Sequence, residues 1–143
     1  MYRNVVVAYD GSEGARAALA RATEIAGMDG ASLTLVEAVP GKLPSLAPGG
    51  PPMAKPEKRA MVREDLNSAI EQLETELLAG GWVIGGPPAK GVITVAEDIG
   101  ADLIVTGSRA RGPVTRTVLG SVSTEILHGA PCDVLVVQLE SSG

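Results

Sequence analysis

Apolar residues along the chain fall into two alternating patterns: short β-branched runs, and longer stretches with apolar positions three and four apart. Asn4–Ala8 (NVVVA) is the first run, and Asp10-Gly11-Ser12 after it is a helix-start signal. Ala15, Ala18, Leu19, Ala22 and Ile25 then follow at helical spacing, with Gly27 and Gly30 as the stop. Leu33–Val36 reads as a second strand. A long helix is predicted from Glu57 to Ala79, with Val62, Leu66, Ala69, Ile70, Leu73 and Leu77 on one face. The third strand lies near Trp82–Ile84 and is broken by Gly85-Gly86-Pro87-Pro88. A helix carrying Val92, Ala96 and Ile99 ends at Gly100. Leu103-Ile104-Val105 is a continuous apolar run, as expected of a strand covered on both faces. A last helix is predicted from Val118 to His128, stopped by Gly129-Ala130-Pro131, and a last strand at Val134–Val137.

This order predicts an α/β fold, a Rossmann-like, doubly wound, five-stranded parallel sheet with helices on both faces. With strand order 3-2-1-4-5, the topological switch point falls between the first and fourth strands, and ligands bind outside the carboxyl ends there. The segments leaving those two strands, Tyr9–Ser12 and Gly107–Gly112, are also the most distinctive loops in the chain.

Composition narrows the picture. The 143 residues suit a single domain spanning 1–143. Within it, PGKLPSLAPGGPPMAKP at 40–56 is too rich in proline for regular structure and reads as a flexible loop, either a lid or a tolerated insertion. With no Phe, one Trp and two Tyr, the core must be aliphatic. Twelve basic against seventeen acidic residues give a net charge of −5, which argues against sequence-independent nucleic-acid binding. No apolar run approaches the ~20 residues of a membrane span. The N-terminus lacks a signal-peptide pattern, so a cytoplasmic location is expected. The single Cys132 excludes an internal disulfide, and the single His128 argues against a His/Cys metal cluster. Cys132 is expected to pack as a small apolar residue, and His128 to act as a polar group near a helix end.

The candidate chemistry lies in GSRARGPVTRTVLGSVST, residues 107–124. Gly107 and Gly112 permit tight turns with exposed amides. Gly120-Ser121-Val122-Ser123 offers a close backbone approach and two hydroxyls at a helix start. With Arg109, Arg111 and Arg116 nearby, these groups suit a phosphate. On spacing alone, a surface loop with a solvated arginine cluster is an equal alternative. Asp10 either contacts a ligand or braces its own turn. Ser12 is the expected helix N-cap, and Ser121 and Ser123 could instead bond to backbone.

The chain resembles the universal stress protein family over nearly its whole length. The resemblance rests on VVVAYDGSEGARAALARA, ADLIVTGSRARG, LGSVSTEILHGAPCDVLVV and the Gly86-Pro87-Pro88-Ala89 turn, in the family's order and spacing. ATP-binding members carry Gly, two residues, Gly, nine residues, then Gly and Ser or Thr. Here that pattern starts at Gly107 and ends at Gly120-Ser121, but Ala110 stands at the middle glycine. A left-handed backbone at Ala110 would cost about 1–2 kcal/mol.

The resemblance implies ATP, AMP or cAMP as ligand, with Mg²⁺ accompanying ATP. Ala8 and Tyr9 would line the adenine pocket through backbone, and Ala38 would meet the adenine edge. Asp10 would sit beside the ribose or a phosphate-bound Mg²⁺, as an indirect metal contact. Gly107, Arg109, Gly112, Gly120, Ser121, Val122 and Ser123 would surround ribose and phosphates. Glu37 stands where the family often has His and receives no role. The first functional expectation is a nucleotide-binding regulatory protein, with ATP hydrolysis slow at most. The second is a stress-response dimer that works through a regulatory protein partner without nucleotide. An adenylating enzyme is disfavoured, because no SGGxDS-like loop follows the first strand. The apolar last strand, if it forms a sheet edge, needs cover and predicts a homodimer through Val134–Val137.

Overall fold

The computed structural model describes residues 1–41, 43, 53–73, 77–108 and 120–139. Five parallel strands form one sheet: β1 (Asn4–Ala8), β2 (Ser32–Val39), β3 (Ala79–Gly85), β4 (Leu103–Gly107) and β5 (Asp133–Val137). Their order is β3-β2-β1-β4-β5, the doubly wound arrangement expected from the alternation of elements. Four helices connect them: α1 (Glu13–Asp29), α2 (Pro56–Glu71), α3 (Pro88–Ile99) and α4 (Ser121–Gly129).

Alternation along the strands divides the core into two layers. Val5, Val7, Leu33, Leu35 and Val105 face α1 and α2, packing on Ala18, Ala22 and Leu66. Val6, Val36 and Ile104 face α3 and α4, packing on Val92, Ala96 and Ile126. Alanine dominates the inner stripe of α1, so that helix lies close to the sheet. Cys132 packs against the second layer as a small apolar side chain, and burial pushes its thiol up from the usual range.

Several boundaries differ from the sequence expectation. α1 runs through Gly27 and stops at Gly30, whose positive φ of 67° makes the left-handed cap. β2 continues to Val39, beyond the expected Val36. The second helix ends at Glu71 and not at Ala79, and Ala79 opens β3 by pairing with Leu33. Helix periodicity at Leu73 and Leu77 is real in the sense that both still pack on the first core layer, but they do so outside the helix. Strand pairing overrides helix propensity at Ala79, and Gly81, where a Cβ would lie 3.2 Å from Ile70 and 3.4 Å from Leu66, lets α2 lie close to β3.

α4 begins at Ser121 behind an N-cap at Gly120, later than Val118, and includes Gly129. Val118 itself lies outside the described residues. Pro56 belongs to α2, at the first helical turn where proline is favoured. Most of the expected 40–56 loop lies outside the described residues. Where the chain enters it, the backbone of Gly41 and Leu43 lies so close to Gly85 that a Cβ there would come within 2.7 Å of the Gly41 oxygen.

Candidate functional site

The carboxyl ends of β1 and β4 diverge because their chains leave for helices on opposite faces of the sheet. The opening between them is a crevice of about 420 Å³. Its floor and one wall are apolar, formed by Ala8, Val36, Ala38, Val92 and Val122. Its rim is polar, with Asp10, Ser12 and Glu13 on one side and Gly120 and Ser123 on the other.

Two helix N-termini frame this rim. Ser12 caps α1, and its Oγ accepts from the Ala15 amide at 3.2 Å. α4 is capped by Gly120 with no side-chain bond, so no side chain of the cap satisfies its first amides. Such N-termini carry partial positive charge and exposed N–H donors.

Of the residues singled out by sequence, Ala8, Tyr9, Asp10, Ala38, Gly107, Gly120, Val122 and Ser123 all line the crevice. Ser121 is the first residue of α4 and is exposed, outside the lining. Arg109 and Gly112 lie outside the described residues, as does Ala110. Asp10 Oδ1 accepts from the Ser12 amide at 2.9 Å, so it braces its own turn while standing at the rim. The Tyr9 amide donates to Val36 O at 2.9 Å and closes the β1–β2 ladder. Pairing with β1 ends at Ala8 and Val36. Strand alternation therefore directs the backbone N–H and C=O of Ala38 past the end of β1, toward the crevice. Ser123 Oγ donates to Gly107 O at 2.9 Å and ties α4 to the end of β4.

Three features were not drawn from the sequence. A Cβ at Gly107 would lie 2.4 Å from Gly14 O, so this glycine lets β4 and the start of α1 touch by backbone. The short-residue run around Gly14 was the available signal. Ser108 is almost fully buried at the crevice wall, and its Oγ has no hydrogen-bond partner among the described residues. Glu37, a lone acid inside an apolar strand, was visible but unassigned. It is 6% exposed and faces the α2 side, away from the crevice. Burial first, then a hydrogen bond with Asp65 and the charges of Asp65 and Asp10, push its carboxyl up to about 8. The neighbouring Tyr9 phenol is raised by burial and by the same acids, with Arg16 opposing.

Among the described residues, no three His, Cys, Asp or Glu side chains converge to hold a metal ion. No helix among the described residues is long and apolar enough to cross a membrane.

A five-stranded doubly wound parallel sheet with a crevice at its switch point, apolar inside and framed by helix N-termini, places the chain among the doubly wound α/β domains. The model of the universal stress protein family matches residues 1–138, and the chain belongs to that family. A Staphylococcus epidermidis protein carrying the universal stress protein name is 32% identical over 147 residues, covering 97% of this chain and 86% of that protein. Among solved structures, the universal stress protein from Archaeoglobus fulgidus in complex with dAMP superposes with a TM-score of 0.74. It is 24% identical, covering 95% of this chain and 98% of its own. A universal stress protein in complex with cAMP superposes with a TM-score of 0.67 at 24% identity, covering 99% of both chains.

Proposed function

We propose that the crevice binds an adenine nucleotide, ATP foremost, and that the protein acts as a cytoplasmic regulatory homodimer in the stress response. The observation that carries this reading is the pairing of an apolar slot with two helix N-termini at its rim. The slot between Ala8, Val36, Ala38 and Val122 suits a flat, weakly polar base, and the Ala38 backbone offers its edge a donor and an acceptor. Asp10 suits ribose hydroxyls, which donate to a carboxylate. The amides at Gly120–Ser123 suit phosphate oxygens, which a helix N-terminus favours. The two walls thus give the ligand a direction: base inward, ribose toward Asp10, phosphates toward α4. Arg109 and Gly112 would join the phosphates from the β4–α4 segment.

The dAMP and cAMP complexes of family relatives support an adenine ligand and leave room for a monophosphate as an alternative to ATP. With ATP, Mg²⁺ would ride on the phosphates. The dimer is drawn from β5, an edge strand whose Val134–Val137 are only half-buried. Pairing with a second copy would satisfy that edge.

Calorimetric titration of nucleotide-free protein with ATP, AMP and cAMP, with and without Mg²⁺, tests the ligand. Saturable binding of one of them supports the reading and identifies the nucleotide. No heat and no thermal shift at millimolar nucleotide would overturn it in favour of a partner-binding dimer that works without ligand. For the dimer, Val136→Pro should sediment as monomer or aggregate, and an intact dimer would count against pairing through β5.

A further inference from the structure

We propose that Glu37 and Asp65 form a proton-sharing carboxyl pair that holds the Asp10 turn in position from the far side of the sheet and loosens it when the shared proton leaves. The inference rests on the adenine-nucleotide reading only for its effect on affinity. Its structural part is independent.

The geometry comes first. Glu37 sits on β2 one residue before Ala38, but its side chain points to the opposite face, into the layer under α2. It is nearly fully buried, and its Oε1 has no hydrogen-bond partner. Asp65 of α2 stands within its reach and acts on it by hydrogen bonding and by charge. Two carboxyl groups share a hydrogen bond only if one of them carries a proton, so burial and pairing both keep the pair singly protonated. Asp65 in turn packs against the β1–α1 turn: a Cβ on Gly11 would lie 3.2 Å from Asp65 Oδ2. Gly11 follows Asp10 directly and has a positive φ of 76°. The pair therefore supports, from behind, the turn that presents Asp10 to the crevice.

The surrounding charges make that support depend on the proton. The β1–α1 turn contributes Asp10, whose charge acts on Glu37. The end of β1 contributes the Tyr9 phenol. α1 contributes Arg16, whose charge is felt at Tyr9. α2 contributes Asp65, while its Arg63 is engaged by the Gly81 carbonyl at 3.1 Å. β3 (AGGWVIG) contributes no ionisable side chain. Among the described residues the charges felt at Glu37 are acidic, although α2 also carries Arg59, whose Nε is buried without a partner among them. Losing the shared proton therefore leaves the buried Glu37 and the half-buried Asp65 both charged, with Asp65 against Gly11 and a third charge at Asp10. Repulsion then pushes the turn away from Asp65.

Two readouts test this. The first needs no ligand. Amide NMR of Gly11 and Ser12, followed from about pH 6.5 to about 9.5, should titrate together with the Glu37 side-chain carboxyl near its raised value. The same amides should stay flat in Glu37→Gln, which keeps the shape but has no proton to lose. The second is ATP affinity over the same range, where the nucleotide's own charge changes little above neutrality. It should fall about tenfold in the wild type across the Glu37 titration and stay level in Glu37→Gln. By reciprocity, saturating ATP should move the Glu37 titration upward by about one pH unit. Asp65→Asn should move the titration without abolishing it, because Glu37 remains buried. Turn amides that ignore the Glu37 titration overturn the proposal, and so does an ATP affinity independent of pH in the wild type. Failure of ATP to bind at any pH would overturn the nucleotide reading alone, and the turn amides would still decide this one.

Discussion

The two ends of the sheet use their acids differently. At the amino ends of the strands, three acids are tied to the backbone or to a hydroxyl. Asp29 accepts from the Tyr2 amide at 2.8 Å, Asp102 from the Arg3 and Asn4 amides at 2.9 and 3.0 Å, and Asp133 from the Tyr2 hydroxyl at 2.8 Å. At the carboxyl ends, Glu37 Oε1 and Ser108 Oγ are buried with no partner among the described residues, and α4 starts without a side-chain cap. Buried polar atoms left unpaired cost about 1–3 kcal/mol each. A fold that satisfies one end and leaves such atoms at the other concentrates its stability at the first. The second is the end where the proposed ligand and the proposed shared proton act.

This contrast can be broken by substitution, and the largest effect is expected where the two halves of the crevice touch. Gly107→Val would drive a side chain into the Gly14 backbone, which cannot move without unseating α1. It should cost roughly 3 kcal/mol or more, seen as a fall of roughly 10 °C in the unfolding midpoint, and should abolish nucleotide binding. Asp10→Ala comes next. It removes a charged acceptor from the rim and should weaken ATP binding by about 1.5–3 kcal/mol, tenfold or more, in calorimetry.

Glu37→Gln sharpens the comparison through pH. The folded carboxyl is raised from 4.5 to about 8, so its contribution to stability is fully present below the unfolded value and is lost as pH rises toward 8. Urea unfolding of the wild type should therefore show stability falling across that window. Glu37→Gln should lack this component and be more stable by about 1–2 kcal/mol at pH 8.

Asp102 has the opposite sign. Burial opposes its ionisation, yet bonds from the Asn4 and Arg3 amides hold its carboxyl below the usual range. Its contribution is present above the unfolded value and is lost as pH falls through the folded one. Asp102→Ala should cost about 1 kcal/mol at neutral pH, by denaturant titration, with ATP affinity unchanged.

The strand order and the location of the crevice were legible in the sequence because both follow from alternation and from two unusual loops. Topology alone placed the Tyr9–Ser12 and Gly107–Gly112 segments at one site, and the family resemblance added Gly120–Ser123. What escaped depends on contacts between distant segments. Whether Ala79 continues a helix or opens a strand is decided by its pairing with Leu33, which no local pattern encodes. The meeting of Gly14 with Gly107 joins the start of α1 to the end of β4, far apart in sequence, and each glycine alone reads as ordinary. Glu37 was conspicuous as a charge in an apolar strand, but its meaning required knowing that Asp65 stands across from it.

The central claim is that the carboxyl end of the sheet binds an adenine nucleotide and the amino end does not. Titrating ATP into isotope-labelled protein and following the backbone amides tests both halves at once. Shifts confined to Ala8, Asp10, Ala38, Ser108 and Val122, with Tyr2, Asp102 and Asp133 unmoved, are the predicted result. Shifts centred on Tyr2 and Asp133, or no shifts at millimolar ATP, would contradict it.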